Sequence, residues 1–248
     1  MILAGATLER PPGRKYVDAL RFAELTFPSS LPKRATLARW RATLPPEMEV
    51  ALVAPRATRI SPLGAFRFDE TLEKSLAWYV SALEATDAHA VIPTGAELST
   101  STRDRERFAK WLAKLPRREG RHLVWAPSGI WEAELAQPFA AELGVICAFD
   151  PLQDDVPEGP IGYARLQAIG GRQRFGEGLL SEMLEALDEG DLEKTYVAIE
   201  SARSFQEAKT LQALAGGTDF EESDDEDDDE DEDLDDEDLD DEDLDDED

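Results

Sequence analysis

The sequence predicts an α/β fold, an eight-stranded β/α (TIM-like) barrel, followed by a disordered acidic tail. Three observations predict it. Short apolar runs recur between residues 2 and 199, helical patterns fill most of the gaps between them, and the composition breaks at Gly216-Gly217. The runs lie at 2–6, 22–26, 50–53, 88–92, 122–126, 145–149, 163–166 and 195–199. Each is mostly apolar throughout rather than alternating, as parallel strands covered on both faces are.

Helical patterns separate the runs at 36–42, 71–84, 103–115, 131–143, 177–187 and 204–214. In the third of these, Phe108, Trp111, Leu112 and Leu115 fall at i, i+3, i+4 and i+7, which makes one apolar stripe. Ser101 stands before it as an N-cap, and Pro116, Gly144, Gly190 and Gly216 punctuate helix ends. Two crossovers lack a good pattern. Residues 7–21 hold Pro11-Pro12-Gly13 and at most one helical turn, and 150–162 form a Pro-rich loop. The barrel is therefore expected to be irregular at its first and sixth crossovers.

Residues 1–217 make one barrel domain and 218–248 the tail. The chain has 55 Asp plus Glu against 26 Lys plus Arg, a net charge of −29. Of the 30 residues from Asp219 to Asp248, 25 are acidic, which leaves 30 acids against 26 bases in the body. The charge thus belongs to the tail, whose carboxylates repel and which has almost nothing apolar to bury. An Asp-Leu-Asp-Asp-Glu unit repeats from Asp233, Asp238 and Asp243. Its leucines advance about 140° per step around a helix, so they share no face.

Cys147 is the single cysteine and lies in an apolar run, which excludes a disulfide within the chain and thiolate metal chemistry. The first apolar run has no basic residue before it and Glu9 soon after, unlike a signal peptide. No apolar run nears the ~20 residues of a membrane helix. A soluble cytoplasmic protein without membrane contact is expected.

Several pieces, in order, resemble a known family. They are Phe22-Ala23-Glu24 with Thr26-Phe27, Trp40 with Pro45-Pro46, Ala54-Pro55-Arg56, Trp131, Tyr163-Ala164-Arg165-Leu166, and the strand-helix at 195–214. The chain from Phe22 to about Leu214 is similar to the YecE-like domains of unknown function, a resemblance that implies a β/α barrel and transfers no activity. It departs from the family where polar residues are expected. The family's Glu-Phe-Arg-His-x-x-Trp is Trp125-Ala126-Pro127-Ser128-Gly129-Ile130-Trp131 here, and its Arg-x-His-Gly is Arg165-Leu166-Gln167-Ala168. Val53 stands for a lysine, and Glu200-Ser201 for paired asparagines. The resemblance therefore implies a divergent member whose pocket has lost most of its polar side chains.

In such a barrel the working face is the C-terminal end of the strands. Alternation puts Phe22, Glu24 and Thr26 on one face of their strand, and does the same for Ile146, Ala148 and Asp150, for Tyr163, Arg165 and Gln167, and for Tyr196, Ala198 and Glu200. The candidate constellation is Glu24, Arg56, Asp150, Arg165 and Glu200. Two readings stay open. Arg165 and Arg56 clamp a small anionic or sugar-like ligand while Glu24 or Glu200 acts as general base; or Arg165 is the buried counter-ion of Glu24 or Glu200. Arg172 and Arg174, after the seventh strand, are further candidates to meet an anion. Bulky Trp125, or Tyr163 and Tyr196 if they point inward, would plug the lumen.

No cofactor is indicated and no metal site is expected, because His89 and His122 belong to the rim opposite the mouth. Only an all-carboxylate Mg²⁺ site from Glu24, Asp150 and Glu200 stays open. The basic stretch 103–121 reads either as a nucleic-acid surface or as a solvated helix face with local ion pairs. The tail reads as a polyanion for a basic protein partner, as a competitor on the chain's own basic face, or as a solubility appendage. With the tail intact, nucleic acid is repelled. The function expected is a non-catalytic or eroded-site binding or interaction module, the alternatives being an enzyme at the barrel mouth and tail-regulated nucleic-acid binding.

Overall fold

The computed structural model describes residues 1–27, 31–168 and 174–216. The tail, expected to be disordered, and Arg172 lie outside the described residues. In chain order the elements are β1 (Ile2–Leu8), α1 (Arg14–Ala19), β2 (Phe22–Leu25), α2 (Arg34–Arg41), β3 (Glu49–Val53), a 3₁₀ turn (Arg56–Thr58) and a small hairpin of β4 (Ile60–Ser61) and β5 (Gly64–Ala65). There follow α3 (Glu70–Thr86), β6 (His89–Pro93), α4 (Thr102–Leu112), β7 (Leu123–Ala126), α5 (Ala133–Leu143), β8 (Ile146–Cys147), β9 (Ile161–Gln167), α6 (Glu177–Asp188), β10 (Lys194–Glu200) and α7 (Ser204–Ala215).

Eight strands form one parallel sheet in the order β8-β7-β6-β3-β2-β1-β10-β9. Its two ends meet beyond β8, where Phe149 bridges to Ala164 and accepts the Arg165 amide at 2.9 Å. The expected run 145–149 is therefore a two-residue strand plus one bridge. The barrel has its expected irregularities. The sixth crossover has no helix, and the first holds a helix of 6 residues, more than the single turn expected.

Local chemistry accounts for the helices around it. Asp69 caps α3 by accepting the Leu72 amide at 2.8 Å, and Ser101 caps α4 by accepting the Asp104 amide. The stripe of Phe108, Trp111 and Leu112 is buried against the sheet. α5 stops at Gly144, whose φ of 63° suits glycine. Trp125 points outward, meeting Phe108, Trp131 and Phe139 edge-on or tilted at centroid distances of 4.9–5.5 Å. It does not plug the lumen, since its neighbours Val124 and Ala126 take the inward positions.

Tyr163 and Tyr196 do point inward. With Phe22 they fill the middle of the lumen, the two tyrosines 6.0 and 5.2 Å from the Phe22 ring, and all three are essentially unexposed. The barrel is a packed core with a polar layer at each end. No helix among the described residues is long and apolar enough to cross a membrane.

Candidate functional site at the barrel mouth

Glu24 sits on β2 beneath the mouth and is 0 % exposed. The β1–β2 register places Thr7 opposite it. Its Oε1 accepts the Thr7 hydroxyl at 3.0 Å and Arg165 Nη2 at 2.8 Å, and its Oε2 accepts the Tyr163 hydroxyl at 2.7 Å. A buried carboxylate costs a great deal unless it is paired and hydrogen-bonded, and here three donors supply the pairing. Burial opposes the charge on Arg165, but Glu24 beside it raises the guanidinium's pKa above its ordinary value. The Tyr163 hydroxyl is pushed up by burial and by the Glu24 charge, which keeps it a donor.

Glu200 lies 3.6 Å from Arg165, is half-exposed, and accepts Gln167 Nε2 at 2.6 Å. Arg165 thus bridges a sealed carboxylate and an open one. Its Nε atom is buried and has no partner among the described residues.

Above this pair is a cavity of about 480 Å³, walled by the ends of β6 to β9. Arg59, Glu97, Thr94, Ser128, Asp150 and Arg165 all reach it. The turn after β3 delivers Arg59. Its Nε donates to Ala54 O at 3.3 Å, its Nη1 pairs with Glu97 at 2.9 Å, and Trp111 Nε1 holds the adjacent Thr58 carbonyl at 2.7 Å. Thr94 accepts Trp125 Nε1 at 2.8 Å, so the outer aromatic layer orients a mouth hydroxyl.

Of the expected residues, Glu24, Arg165 and Glu200 come together. Asp150 lines the cavity but spends its carboxylate on its own turn, accepting the Leu152 amide at 3.0 Å and the Gln153 side chain. The three carboxylates considered for Mg²⁺ do not converge, and among the described residues no group of His, Cys, Asp and Glu is arranged to hold a metal ion. Arg56 is exposed on a neighbouring depression of about 700 Å³, which Arg59 and Pro93 also line. Arg174 is exposed and is not a wall of the cavity. Sequence reasoning missed Arg59, whose only signal is its place three residues beyond Arg56 in an aperiodic turn.

The basic stretch 103–121 disperses over separate partners. Arg107 pairs with Asp104 at 2.7 Å, Arg105 lies over the Trp131 and Phe139 rings, and Arg118 and Arg121 both reach Asp87. The opposite end of the lumen carries a second polar layer. There Glu49 accepts His89 Nε2 at 3.1 Å, the Tyr196 hydroxyl at 2.6 Å and the Lys194 ammonium. His89 Nδ1 accepts the His122 amide at 3.0 Å, which leaves the proton on Nε2 for Glu49, and the two imidazoles stack 5.1 Å apart. Burial lowers the pKa of His89 despite the Glu49 bond, and burial with the His89 and Lys194 neighbours lowers that of His122 to about 4. A neutral His89 donating to an ionised Glu49 satisfies both shifts. Burial works against Glu49's charge, but its three donors outweigh it and hold the carboxyl well below its usual range.

These features define a class: a closed β/α barrel with an acid–arginine pair sealed under a polar mouth. No protein-family model matches the chain, and no curated protein does. Solved structures do. A DUF72 family protein from Enterococcus faecalis V583 is similar with a TM-score of 0.62 at 12% identity, covering 87% of this chain and 98% of that one. A DUF72 family protein from Thermotoga maritima MSB8 gives 0.52 at 15% identity, over 79% and 84%. SacUVDE gives 0.55 at 12% identity, over 82% of each. Likeness at these identities carries the fold alone.

Proposed function

We propose that the chain is a divergent YecE-like barrel that works as a non-catalytic binding module, taking a small polyhydroxyl or sugar-like ligand at the mouth. One observation carries this reading: Glu24, the carboxylate that the strand alternation offers as a base, is unexposed and already holds three donors. The cavity's other charges are matched too, Arg59 by Glu97 and Asp150 by its own loop. A free anion would have to displace one of these pairs, whereas hydroxyl groups can bridge them. The likeness to DUF72 proteins supports the barrel.

Calorimetric titration of the full chain with glucose, myo-inositol and inorganic phosphate tests the proposal. Binding of a polyol that Thr94→Val weakens supports it; binding of phosphate alone turns the mouth into an anion site. Turnover lost in a folded Glu24→Gln variant would refute the non-catalytic reading. The enzyme alternative finds its support in Glu200, half-exposed beside Arg165 and so open to solvent as a base. It requires turnover that Glu200→Gln abolishes.

A further inference from the structure

The missing sixth helix leaves a groove of about 890 Å³ down the outside of the barrel. Its walls are the flank of α5, with Pro138 and Ala141, and the strap that includes Val156 and Pro160. At one end stand Arg117, Arg118 and Arg121, on the segment leading into β7. Arg117 donates to the Gly144 and Leu143 carbonyls at 2.9 and 2.7 Å and has no carboxylate within ion-pair distance among the described residues. Arg118 and Arg121 share one carboxylate, Asp87, and the Arg121 Nε is buried without a partner among the described residues. Glu134 and Glu158 also line the groove, neither in an ion pair with these arginines. Arg117, which meets only carbonyl oxygens, is the guanidinium left to attract a further anion.

The last helix of the barrel delivers the chain to the same rim. Near the end of α7, Gln212 accepts the Ala4 amide at 3.0 Å and donates to the Ile2 carbonyl at 3.3 Å, so α7 finishes beside the start of β1. The arginines stand at the start of β7, which is the same end of a parallel barrel. Around the sheet β7 is four strands from β1, about 19 Å at about 4.8 Å per strand. A flexible coil as long as the sequence between Gly216 and Asp233 would reach about 20–25 Å.

We infer that the acidic tail docks in this groove, its Asp-Leu-Asp-Asp-Glu units at 233–247 placing carboxylates on Arg117, Arg118 and Arg121 and leucines on the apolar walls. The composition fits both halves of the groove: 25 acids for the guanidiniums, and Leu234, Leu239 and Leu244 for the prolines and alanine. The tether gives the tail an effective concentration on the order of millimolar, so weak contacts suffice and an external polyanion must compete with it. This surface is at the end of the barrel away from the mouth and does not depend on the ligand proposed there.

The test uses the full chain with Asp238→Cys carrying a nitroxide. Cys147 is buried and its thiol is pushed up to about 12, so the introduced cysteine takes the label. At about 0.01 M salt the amide NMR signals of Arg117, Ala141, Gly144 and Val145 are expected to lose most of their intensity, and at about 1 M salt to recover it. Arg117→Glu in the labelled chain removes the broadening and Arg117→Gln reduces it. Groove signals that never broaden, or broadening that Arg117→Glu leaves intact, overturn the inference. So does broadening seen only when the label is on a second copy, because the occupant is then another molecule's tail. If Arg117→Glu does not fold, the salt series on the parent chain decides.

Discussion

Replacing Arg165 with Met tests the physics of the mouth most directly. Met keeps an unbranched stem and removes the guanidinium. Glu24 would retain Thr7 and Tyr163 but lose its 2.8 Å charge-assisted bond, at 0 % exposure where no water replaces it. Breaking a buried pair from one side costs about 3–5 kcal/mol, because an uncompensated charge is left behind. Arg165 is 14% exposed, which places the expectation near the lower bound of about 3 kcal/mol. For a barrel of this size that is a fall of about 6–12 °C in the melting midpoint. Urea unfolding followed by tryptophan fluorescence measures it, since Trp111 and Trp125 are fully buried. The double variant Glu24→Gln, Arg165→Met should recover at least half of the loss, because no buried charge remains. An Arg165→Met protein within about 0.5 kcal/mol of the parent, a shift typical of surface sites, would refute the reasoning; so would strictly additive losses. Either result would mean that the guanidinium is held for a ligand rather than for Glu24.

Acid should destabilise the floor of the lumen. The folded pKa values of His89 and His122 lie below the ordinary value of about 6.5, so the unfolded chain binds more protons and stability falls as pH drops from about 6.5 through about 4 for His122. The depressed Glu49 adds stability that is present above its unfolded pKa of about 4.3 and is lost as pH falls further. A lower urea midpoint at about pH 5 than at about pH 7.5 is expected, and a flat profile would contradict it. Gly5→Ala should destabilise by about 1–3 kcal/mol or more, since its Cβ would sit 2.2 Å from the Phe22 carbonyl oxygen and force β1 away from β2. Gly178→Ala, in α6 with open space around it, should instead stabilise by about 0.5–1 kcal/mol, and equal effects at the two sites would rule out the packing argument.

Much of the mouth was legible from alternation alone. Once 163–166 and 195–199 are strands, Arg165 and Glu200 must share the inner face with Tyr163 and Tyr196, and Glu24 follows from Phe22 in the same way. Whether Arg165 serves Glu24 or a ligand was not legible, because the donors that seal Glu24 come from β1 and β9, the latter 139 and 141 residues away. Trp125 and Arg59 failed for different reasons. Trp125 faces outward because alternation along its own strand gives Val124 and Ala126 the lumen. Arg59 depends on a hairpin turn whose course is set by packing of Phe66 against Phe108 and Trp111.

The sequence by itself determined the eight barrel strands and six of the helices, the weak first and sixth crossovers and the segregation of charge into the tail, but not α1, the 3₁₀ turn or the β4–β5 hairpin. What it determined is written in a local window or in composition. Only the tertiary structure decided that the lumen is filled by Phe22, Tyr163 and Tyr196, that Glu24 is closed by three donors, and that α7 ends at the rim where the arginines stand. Those facts depend on the stagger with which eight strands close on one another, and that stagger is a property of the whole barrel rather than of any one strand.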